Sequence, residues 1–319
     1  MPPAHAPRRG SMQFWPRKKA SDIVPRIRTW HGKDSKASCF AGYKVGMTHV
    51  MATDNRNASP SKNKTIAIPV TIIECPPMKV YGIAVYKKQG YGLQCASTIL
   101  APSLDKKLPF PLPKNIKAKI EDVKEPADVR LLVHTQPKLI NLKKTPEVFE
   151  IGIGGDVNAK LAYAKEILGK DIAISDVFAE GNLVDSHSVT KGKGLQGPVK
   201  RFGIKIRFHK SEKTKRGPGS LGPWHGPTLY RVPHAGQTGF HTRTELNKWV
   251  LKIDSDPSKI NVKGGFVRYG DIKSQYMLIK GSIGGARKRL IKFTPAQRPD
   301  KKLPAKAPEI TYVSQTSQQ

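Results

Sequence analysis

The sequence predicts a mainly β fold, because its apolar residues fall in short runs that are rich in β-branched side chains. Glycine and proline separate these runs, as they separate the strands of small barrels and sandwiches. The runs expected to form strands are residues 65–73, 80–85, 129–134, 148–153, 171–178, 249–253 and 276–279.

One helix is predicted among these strands, over residues 157–168. Asp156 stands where an N-terminal cap belongs, and Gly169 follows where a helix ends. The stripe that faces the core is expected to consist of Leu161, Ala164, Lys165 and Leu168.

The charge of the chain is large and unevenly distributed. The formal net charge is +32 over 319 residues, and so strong a self-repulsion indicates a polyanionic partner. Residues 101–185 hold 13 acidic and 13 basic residues, whereas residues 187–248 hold 13 basic residues against only Glu212 and Glu245. The first range has the composition of a folded domain, and the second that of a segment that contacts phosphates.

These differences predict the organisation of the chain. We expect a basic N-terminal arm at residues 1–37 and a β-barrel core at residues 38–100 and 170–292, interrupted by a neutral α/β insertion at residues 101–169. A basic, glycine-rich finger at residues 187–248 projects from the core. Residues 293–319 form a tail that frays or lies along a partner.

Several classes of protein are disfavoured. No apolar run approaches the roughly 18 residues that span a bilayer, and the polar start lacks the core of a secretory signal, so a cytoplasmic location is expected. Cys39, Cys75 and Cys95 are too far apart to form a zinc site and odd in number for a disulfide framework, so we expect them to be buried.

Nothing in the sequence indicates catalysis or a cofactor. Neither paired carboxylates in the basic segment nor a nucleophile elbow is present. The histidines of the finger follow no familiar ligand spacing, so we expect no metal; they are His209, His225, His234 and His241.

The first part of the finger, residues 191–201, combines glycines with lysines. It is not a Walker loop, because Gly194 is followed by Leu195 and then by Gly197 and Pro198, which are hostile to a helix. The glycines instead let the backbone pass close to phosphates that the lysines neutralise.

Trp224 lies in the middle of the finger, between Pro223 and the pair His225 and Gly226. Burial is the ordinary expectation for a tryptophan. Glycine and proline on both sides keep it off any regular element, however, and predict a loop tip. An exposed indole there is suited to stacking on nucleotides.

Five stretches together resemble the L-three family of large-subunit ribosomal proteins. They are FAGYKVGMT at residues 40–48, VTKGKGLQG at 189–197, GPWH at 222–225, AGQTGFHTRTELNK at 235–248 and GSIGGARKR at 281–289. The stretches at 222–225 and 235–248 are similar to the archaeal and eukaryotic branch, and the short chain favours an archaeon.

The resemblance implies a six-stranded translation-protein-type β-barrel with an inserted α/β region and long non-globular basic extensions. It implies binding to large-subunit rRNA, contact with neighbouring ribosomal proteins, a role in subunit assembly and translation, and a finger tip near the peptidyl-transferase region. An RNA-modifying enzyme and a DNA-architectural protein are the alternatives that the charge alone leaves open.

The candidate rRNA-binding residues share a cation, an aromatic ring or a polar side chain within the basic segments. They are Arg8, Arg9, Trp15, Arg17, Lys18, Lys19, Arg26, Arg28, Trp30, Lys191, Lys193, Gln196, Lys200, Arg201, Lys205, Arg207, Lys213, Lys215, Arg216, Trp224, His225, Arg231, His234, Gln237, His241, Arg243, Lys248, Arg287, Lys288 and Arg289.

Overall fold

The computed structural model describes residues 7–32, 34–106, 108–111, 126–211 and 213–317. The chain forms two compact units. We name them the extension unit, Met1–Asp22 with Val189–Thr242, and the sheet unit, Ile23–Ser188 with Arg243–Gln319.

The described elements are mainly strands, which confirms the predicted fold class at this level. In chain order, the strands are β1 (Phe40–Thr53), β2 (Thr65–Glu74), β3 (Met78–Gln89), β4 (Gly92–Leu100), β5 (Asp128–His134), β6 (Val148–Gly152), β7 (Asp171–Ile172), β8 (Leu183–Val189), β9 (Leu195–Gln196), β10 (Gly236–Gln237), β11 (Thr242–Asp254), β12 (Tyr276–Lys280), β13 (Leu290–Pro295) and β14 (Ile310–Val313). The helices are α1 (Val157–Ile167), α2 (Ile174–Val177) and α3 (Pro198–Phe202), and short 3₁₀ turns occupy Met12–Phe14 and Pro257–Lys259.

The larger sheet has the strand order β13-β8-β11-β12-β2-β1-β14. The long strand β1 pairs along one edge with β2 and along the other with β13 and then β14. Phe40 lies opposite Phe293, and both side chains are fully buried. The finger expected at residues 187–248 therefore begins and ends inside this sheet, since β8 and β11 contain its first and last residues.

A second sheet has the order β4-β3-β5-β6, with β7 paired to β3. β3 and β4 lie in the range 38–100 that was expected to belong to the barrel core. They pair instead with strands of the predicted insertion, because the alternating apolar residues of β3 match those of β5, as at Ile83 opposite Leu131. The boundary expected at residue 101 thus falls within one continuous sheet.

Helix α1 confirms the predicted helix and packs against the core through Ala164, Leu161 and Leu168. Asp156 is at the N-cap position but its side chain makes no capping hydrogen bond. Lys165 is exposed rather than part of the stripe, because a lysine amine remains in water where it can.

Residues 171–178 were predicted to be one strand, and this was wrong beyond Ile172. The segment turns into α2 because the carboxylate of Asp176 accepts a hydrogen bond from the backbone amide of Ala173 at 2.9 Å. That bond satisfies an otherwise free donor at a helix start and outweighs the β-branched composition.

Residues 293–319 were expected to form a tail that frays or lies along a partner. Instead β14 extends the larger sheet, with Val313 opposite Val50 and Tyr312 opposite Met51. The side-chain amide of Asn55 also donates, through Nδ2, to the carbonyl of Lys306 at 2.8 Å. Backbone pairing therefore outweighs the polar composition of this segment.

The cysteines are of two kinds. Cys39 and Cys75 are fully buried in the core of the sheet unit, as predicted, and burial raises the pKa of the Cys39 thiol to about 12 against the opposing field of Lys292. Cys95 is exposed on β4, so the expectation of burial was wrong there.

Asp254 is the last residue of β11, and its carboxylate accepts hydrogen bonds from several groups. Burial alone would raise the pKa of its carboxyl, but the amide of Asp256 at 3.0 Å and the ammonium groups of Lys252 and Lys259 at 3.0 and 3.3 Å outweigh that effect. The pKa of Asp254 is consequently lowered to about 2.

Within the described ranges, no helix combines the length and apolar character needed to cross a bilayer.

Candidate nucleic-acid interface

The extension unit is built on an antiparallel ladder between residues 190–193 and 238–241. The amide of Thr190 donates to the carbonyl of His241 at 3.0 Å, and that of Lys193 donates to Thr238 at 2.8 Å. The ladder passes into the pair β9 and β10. Gly239 is required here, because it has a φ of +72° and a Cβ would lie 1.9 Å from the carbonyl oxygen of Lys191. The finger therefore leaves and returns as one hairpin.

Helix α3 follows β9 and corrects one expectation from the sequence. Pro198 was read as hostile to a helix, yet it occupies the first turn of α3, where its missing amide costs nothing and its fixed φ is favourable. Gly203 ends the helix with a φ of +66°.

Arg201 of α3 holds the returning strand. Its Nη1 donates to the carbonyl of His234 at 2.9 Å, and its Nε donates to that of Gln237 at 3.2 Å. Burial lowers the pKa of its guanidinium. Two nearby side-chain amides also bond within the finger: that of Gln196 donates to the carbonyl of Lys193, and that of Gln237 donates to the carbonyl of Gly239. These predicted RNA contacts thus also shape the finger.

The described N-terminal residues 7–22 pack against the same hairpin. The amide of Ala20 donates to the carbonyl of Phe240 at 2.7 Å, and a ring nitrogen of His241 lies 2.6 Å from the carbonyl oxygen of Lys18. Arg8 donates to the carbonyl of Arg231 at 3.0 Å. This part of the predicted arm and the finger therefore form one structure.

An aromatic cluster joins the two segments of the extension unit. The ring of Trp15 stacks on Phe202 and meets Tyr230 edge-on, with both centroid distances 6.1 Å. The guanidinium of Arg17 lies 4.4 Å from the centroid of Phe202. Trp15 and Arg17 are therefore half-buried packing residues as well as candidate contacts.

The tip of the finger carries Trp224, which is 93% exposed. The turn is closed by a hydrogen bond from the amide of Leu229 to the carbonyl of Leu221 at 3.0 Å. The rings of Trp224 and His225 are nearly perpendicular, with 6.2 Å between their centroids, and the indole is almost entirely exposed to solvent. The exposed position expected from the flanking glycine and proline is confirmed.

The surface of the extension unit is dominated by cations. By sequence, the unit contains 16 Lys or Arg residues and two acids, Asp22 and Glu212. The predicted cationic contacts that are exposed in it are Arg8, Arg9, Lys18, Lys19, Lys191, Lys193, Lys200, Lys205, Arg207, Lys213, Lys215, Arg216 and Arg231.

The remaining predicted contacts lie in the sheet unit, where they differ in environment. Arg26, Arg28 and Lys288 are exposed. Arg243 is half-buried. Lys248 pairs with Glu245 at 2.8 Å.

Three more of these residues are held by their own chain. Arg287 donates to the carbonyl of Val267, and burial lowers the pKa of Arg289. Trp30 packs on the core, where a Cβ added to Gly152 would lie 2.4 Å from its Cγ. Trp30 is therefore a packing residue of the sheet unit, and its contact with RNA stays a prediction.

Sequence reasoning missed several residues of this surface. Phe208 is 72% exposed, with the ammonium of Lys205 5.0 Å from its ring centroid. Tyr230 is 62% exposed beside Arg231. The available signal was the aromatic residue placed next to a cation in the chain.

The described residues contain no group of three or more His, Cys, Asp or Glu side chains that could hold a metal ion.

Comparison with known proteins gives one consistent result. The family model that matches, described as Ribosomal protein L3, covers residues 1–319. Large ribosomal subunit protein uL3 of Methanosphaera stadtmanae is 46% identical, over 99% of this chain and 98% of its own length. The proteins of the same name from Archaeoglobus fulgidus and Methanocaldococcus jannaschii are both 47% identical, over at least 98% of this chain and 97% of their own lengths.

These relatives are archaeal, in agreement with the predicted type of sequence. The chain therefore belongs to the Ribosomal protein L3 family, a family of structural ribosomal proteins and not of enzymes.

Proposed function

We propose that this protein is a structural constituent of the large ribosomal subunit in the cytoplasm, that it binds large-subunit rRNA mainly through the extension unit, and that it supports subunit assembly and translation. The names of its relatives support the location. Neighbouring large-subunit proteins are its other partners.

The observation that carries this proposal is the charge of the extension unit. Sixteen cations against two acids within 76 residues would repel one another strongly in the free protein. Most of these cations are exposed, and the glycines between them permit a phosphate to approach the backbone closely. An RNA backbone supplies the counter-charge, and binding releases condensed counterions.

The strand pairing supports a further proposal about the fold. β1, β2, β12, β11, β8 and β13 are neighbours in that order, and β13 also pairs with β1. We propose that these six strands close into a translation-protein-type barrel. A closed barrel has no free edges.

A matched pair of variants tests the RNA-binding surface. One variant replaces four exposed lysines of the finger, Lys191, Lys193, Lys213 and Lys215, with Gln. The control replaces four exposed lysines of the sheet unit, Lys62, Lys64, Lys301 and Lys302. The measurement is the affinity for large-subunit rRNA as a function of salt concentration.

If each finger lysine neutralises one phosphate, the negative slope of log K against log salt should become less steep in the finger variant, by roughly 3 to 4. Each lost contact contributes about 0.7 to 0.9 to the slope. The control should keep nearly the wild-type slope. Equal slopes in both variants would show that net charge, and not the finger, determines binding.

We further propose that the tip approaches the peptidyl-transferase region. The support is the resemblance of residues 222–225 and the exposure of Trp224. Replacing Trp224 with Ala should leave the melting temperature of the free protein unchanged, because the indole is not packed. It should alter chemical probing of rRNA at the catalytic centre of assembled subunits, and an unchanged pattern there would refute this placement.

A further inference from the structure

The hairpin formed by β3 and β4 has a tip that extends beyond its sheet. Gln89 pairs with Gly92, so only Gly90 and Tyr91 form the turn. Gly90 has a φ of +57° and occupies the position that a type II′ turn reserves for glycine. Tyr86 is the last residue of β3 that pairs with β5, and the three residue pairs beyond it extend the hairpin by about 10 Å.

The side chains of the tip are exposed in the part of the chain that the structure describes. Tyr91 is fully exposed and Leu93 is 47% exposed. A Cβ added at Gly90 or Gly92 would meet nothing within 4 Å. The packing of the described residues therefore gives no reason for an aromatic and an apolar side chain at this point.

The charge of the tip indicates the class of partner. Lys87 and Lys88 adjoin the turn, and residues 78–100 contain no acidic residue. The register places Lys88 opposite Leu93 and Lys87 opposite Gln94, so the two cations lie on opposite faces of the hairpin.

Among the residues that the structure describes, Asp128 and Glu150 lie on the strands beside the base of the tip, and both are already paired. Asp128 is paired with Arg130 at 3.2 Å and with Lys160 at 2.8 Å. Glu150 is paired with Arg130 at 3.1 Å and accepts a hydrogen bond from the hydroxyl of Tyr86 at 2.7 Å. Arg130 and Lys160 therefore offset these two carboxylates, and no ion pair of Lys87 or Lys88 is found among the described residues.

We infer that residues 87–95 form a second RNA-binding site, separate from the finger, in which the ring of Tyr91 stacks on an unpaired base while Lys87 and Lys88 bind phosphates on either side. The inference rests on the proposed function, because it requires RNA next to the sheet unit. A protein strand added to β4 is the competing occupant. Lysines beside a sheet edge oppose such pairing, whereas they favour a polyanion.

Two substitutions at the tip test the inference, each with a matched control. Y91A should weaken rRNA binding by roughly 5- to 150-fold, the range expected for one stacked base, and Y91F should restore it. Y312A is the control, because Tyr312 is a half-exposed tyrosine on β14. The full chain is used throughout, and its melting temperature should not change.

K87A/K88A should make the negative slope of log K against log salt less steep by about 1.4, because each phosphate contact with a single strand contributes about 0.7. The control K301A/K302A removes the same charge from two exposed lysines near the C-terminus. The comparison with the variant that replaces Lys191, Lys193, Lys213 and Lys215 separates the two proposals. If the tip variants match their controls while that finger variant loses rRNA binding, this inference fails and the proposed function stands. If the wild type does not bind large-subunit rRNA, both fail.

Cys95 provides an independent test, because it is exposed beside the tip and the other two cysteines are buried. An iron chelate attached to Cys95 should cleave rRNA at a discrete cluster of nucleotides in assembled subunits, and the C95S protein treated in the same way should give no cuts. Cleavage should coincide with the nucleotides whose chemical reactivity changes in Y91A. Absence of cuts, or a photo-crosslinker at Cys95 that captures only a protein, would overturn the inference.

Discussion

Arg201 is the side chain whose loss should most clearly separate the shape of the finger from its charge. Its two hydrogen bonds, at 2.9 and 3.2 Å, join helix α3 to the carbonyls of His234 and Gln237 on the returning strand. R201M keeps the aliphatic stem and removes both bonds. Hydrogen bonds from a charged donor contribute about 1.5 to 3 kcal/mol each, and because Arg201 is half exposed we expect about 2 to 3 kcal/mol for the pair.

The expected result is local opening of the ladder. A loss of about 2 to 3 kcal/mol increases the open population by roughly 30- to 150-fold. Hydrogen exchange should therefore accelerate by that factor at the amides of Lys193 and Thr238, which are bonded across the ladder. Amides of the larger sheet, such as those of β2, should exchange at the wild-type rate.

K200M is the matched control, because Lys200 is the preceding residue of α3 and is exposed. It removes the same charge without removing a bond across the ladder. If both variants exchange equally fast, or if R201M accelerates exchange uniformly through the sheet unit, the role assigned to Arg201 is refuted.

Three further predictions concern the sheet unit. G152A should displace Trp30, because the new Cβ would lie 2.4 Å from its Cγ; tryptophan fluorescence should shift to longer wavelength, and an unchanged spectrum would contradict the packing. Iodoacetamide should label one thiol of the native protein, Cys95, and none in C95S, whereas rapid labelling of a second thiol would contradict the buried core. The pKa of Asp254 is lowered from 3.8 to about 2, so its stabilising effect is complete above pH 4 and is lost as the pH falls towards 2. D254N should flatten the dependence of the melting temperature on pH over that range. A wild-type pH profile in D254N would exclude Asp254 as the origin of that dependence.

Strand propensity and spacing predicted the elements that have strong local signals. Residues 65–73, 129–134 and 276–279 lie within observed strands because β-branched residues alternate or run together there. β4 was missed, since its first five residues are exposed on both faces and show no alternation. The helix start at Ile174 depends on one side-chain bond from Asp176, which propensity does not reveal.

The candidate site was predictable in composition but not in arrangement. Charge and glycine content identified the finger, and the residues around Trp224 predicted its exposure. The contacts of residues 7–22 with the finger arise from backbone bonds such as that of Ala20 to Phe240, which carry no sequence signature. Trp15 and Trp30 look alike in the sequence, and only tertiary packing assigns one to the aromatic cluster and the other to the core.

The boundaries of the finger determine how its role can be tested. Removing residues 187–248 would delete parts of β8 and β11 from the larger sheet. Residues 192–239 can be removed more safely, because the amide of Phe240 lies 3.2 Å from the carbonyl oxygen of Lys191, a spacing that a two-residue Asn-Gly turn can close.

The affinity of this shortened chain for large-subunit rRNA tests the central claim most directly. We expect the shortened chain to unfold in a cooperative transition like that of the wild type. Its binding to rRNA should be weaker by about 100-fold or more at physiological salt, because most of the proposed phosphate contacts are removed. A folded shortened chain that binds rRNA with the affinity of the wild type would contradict it.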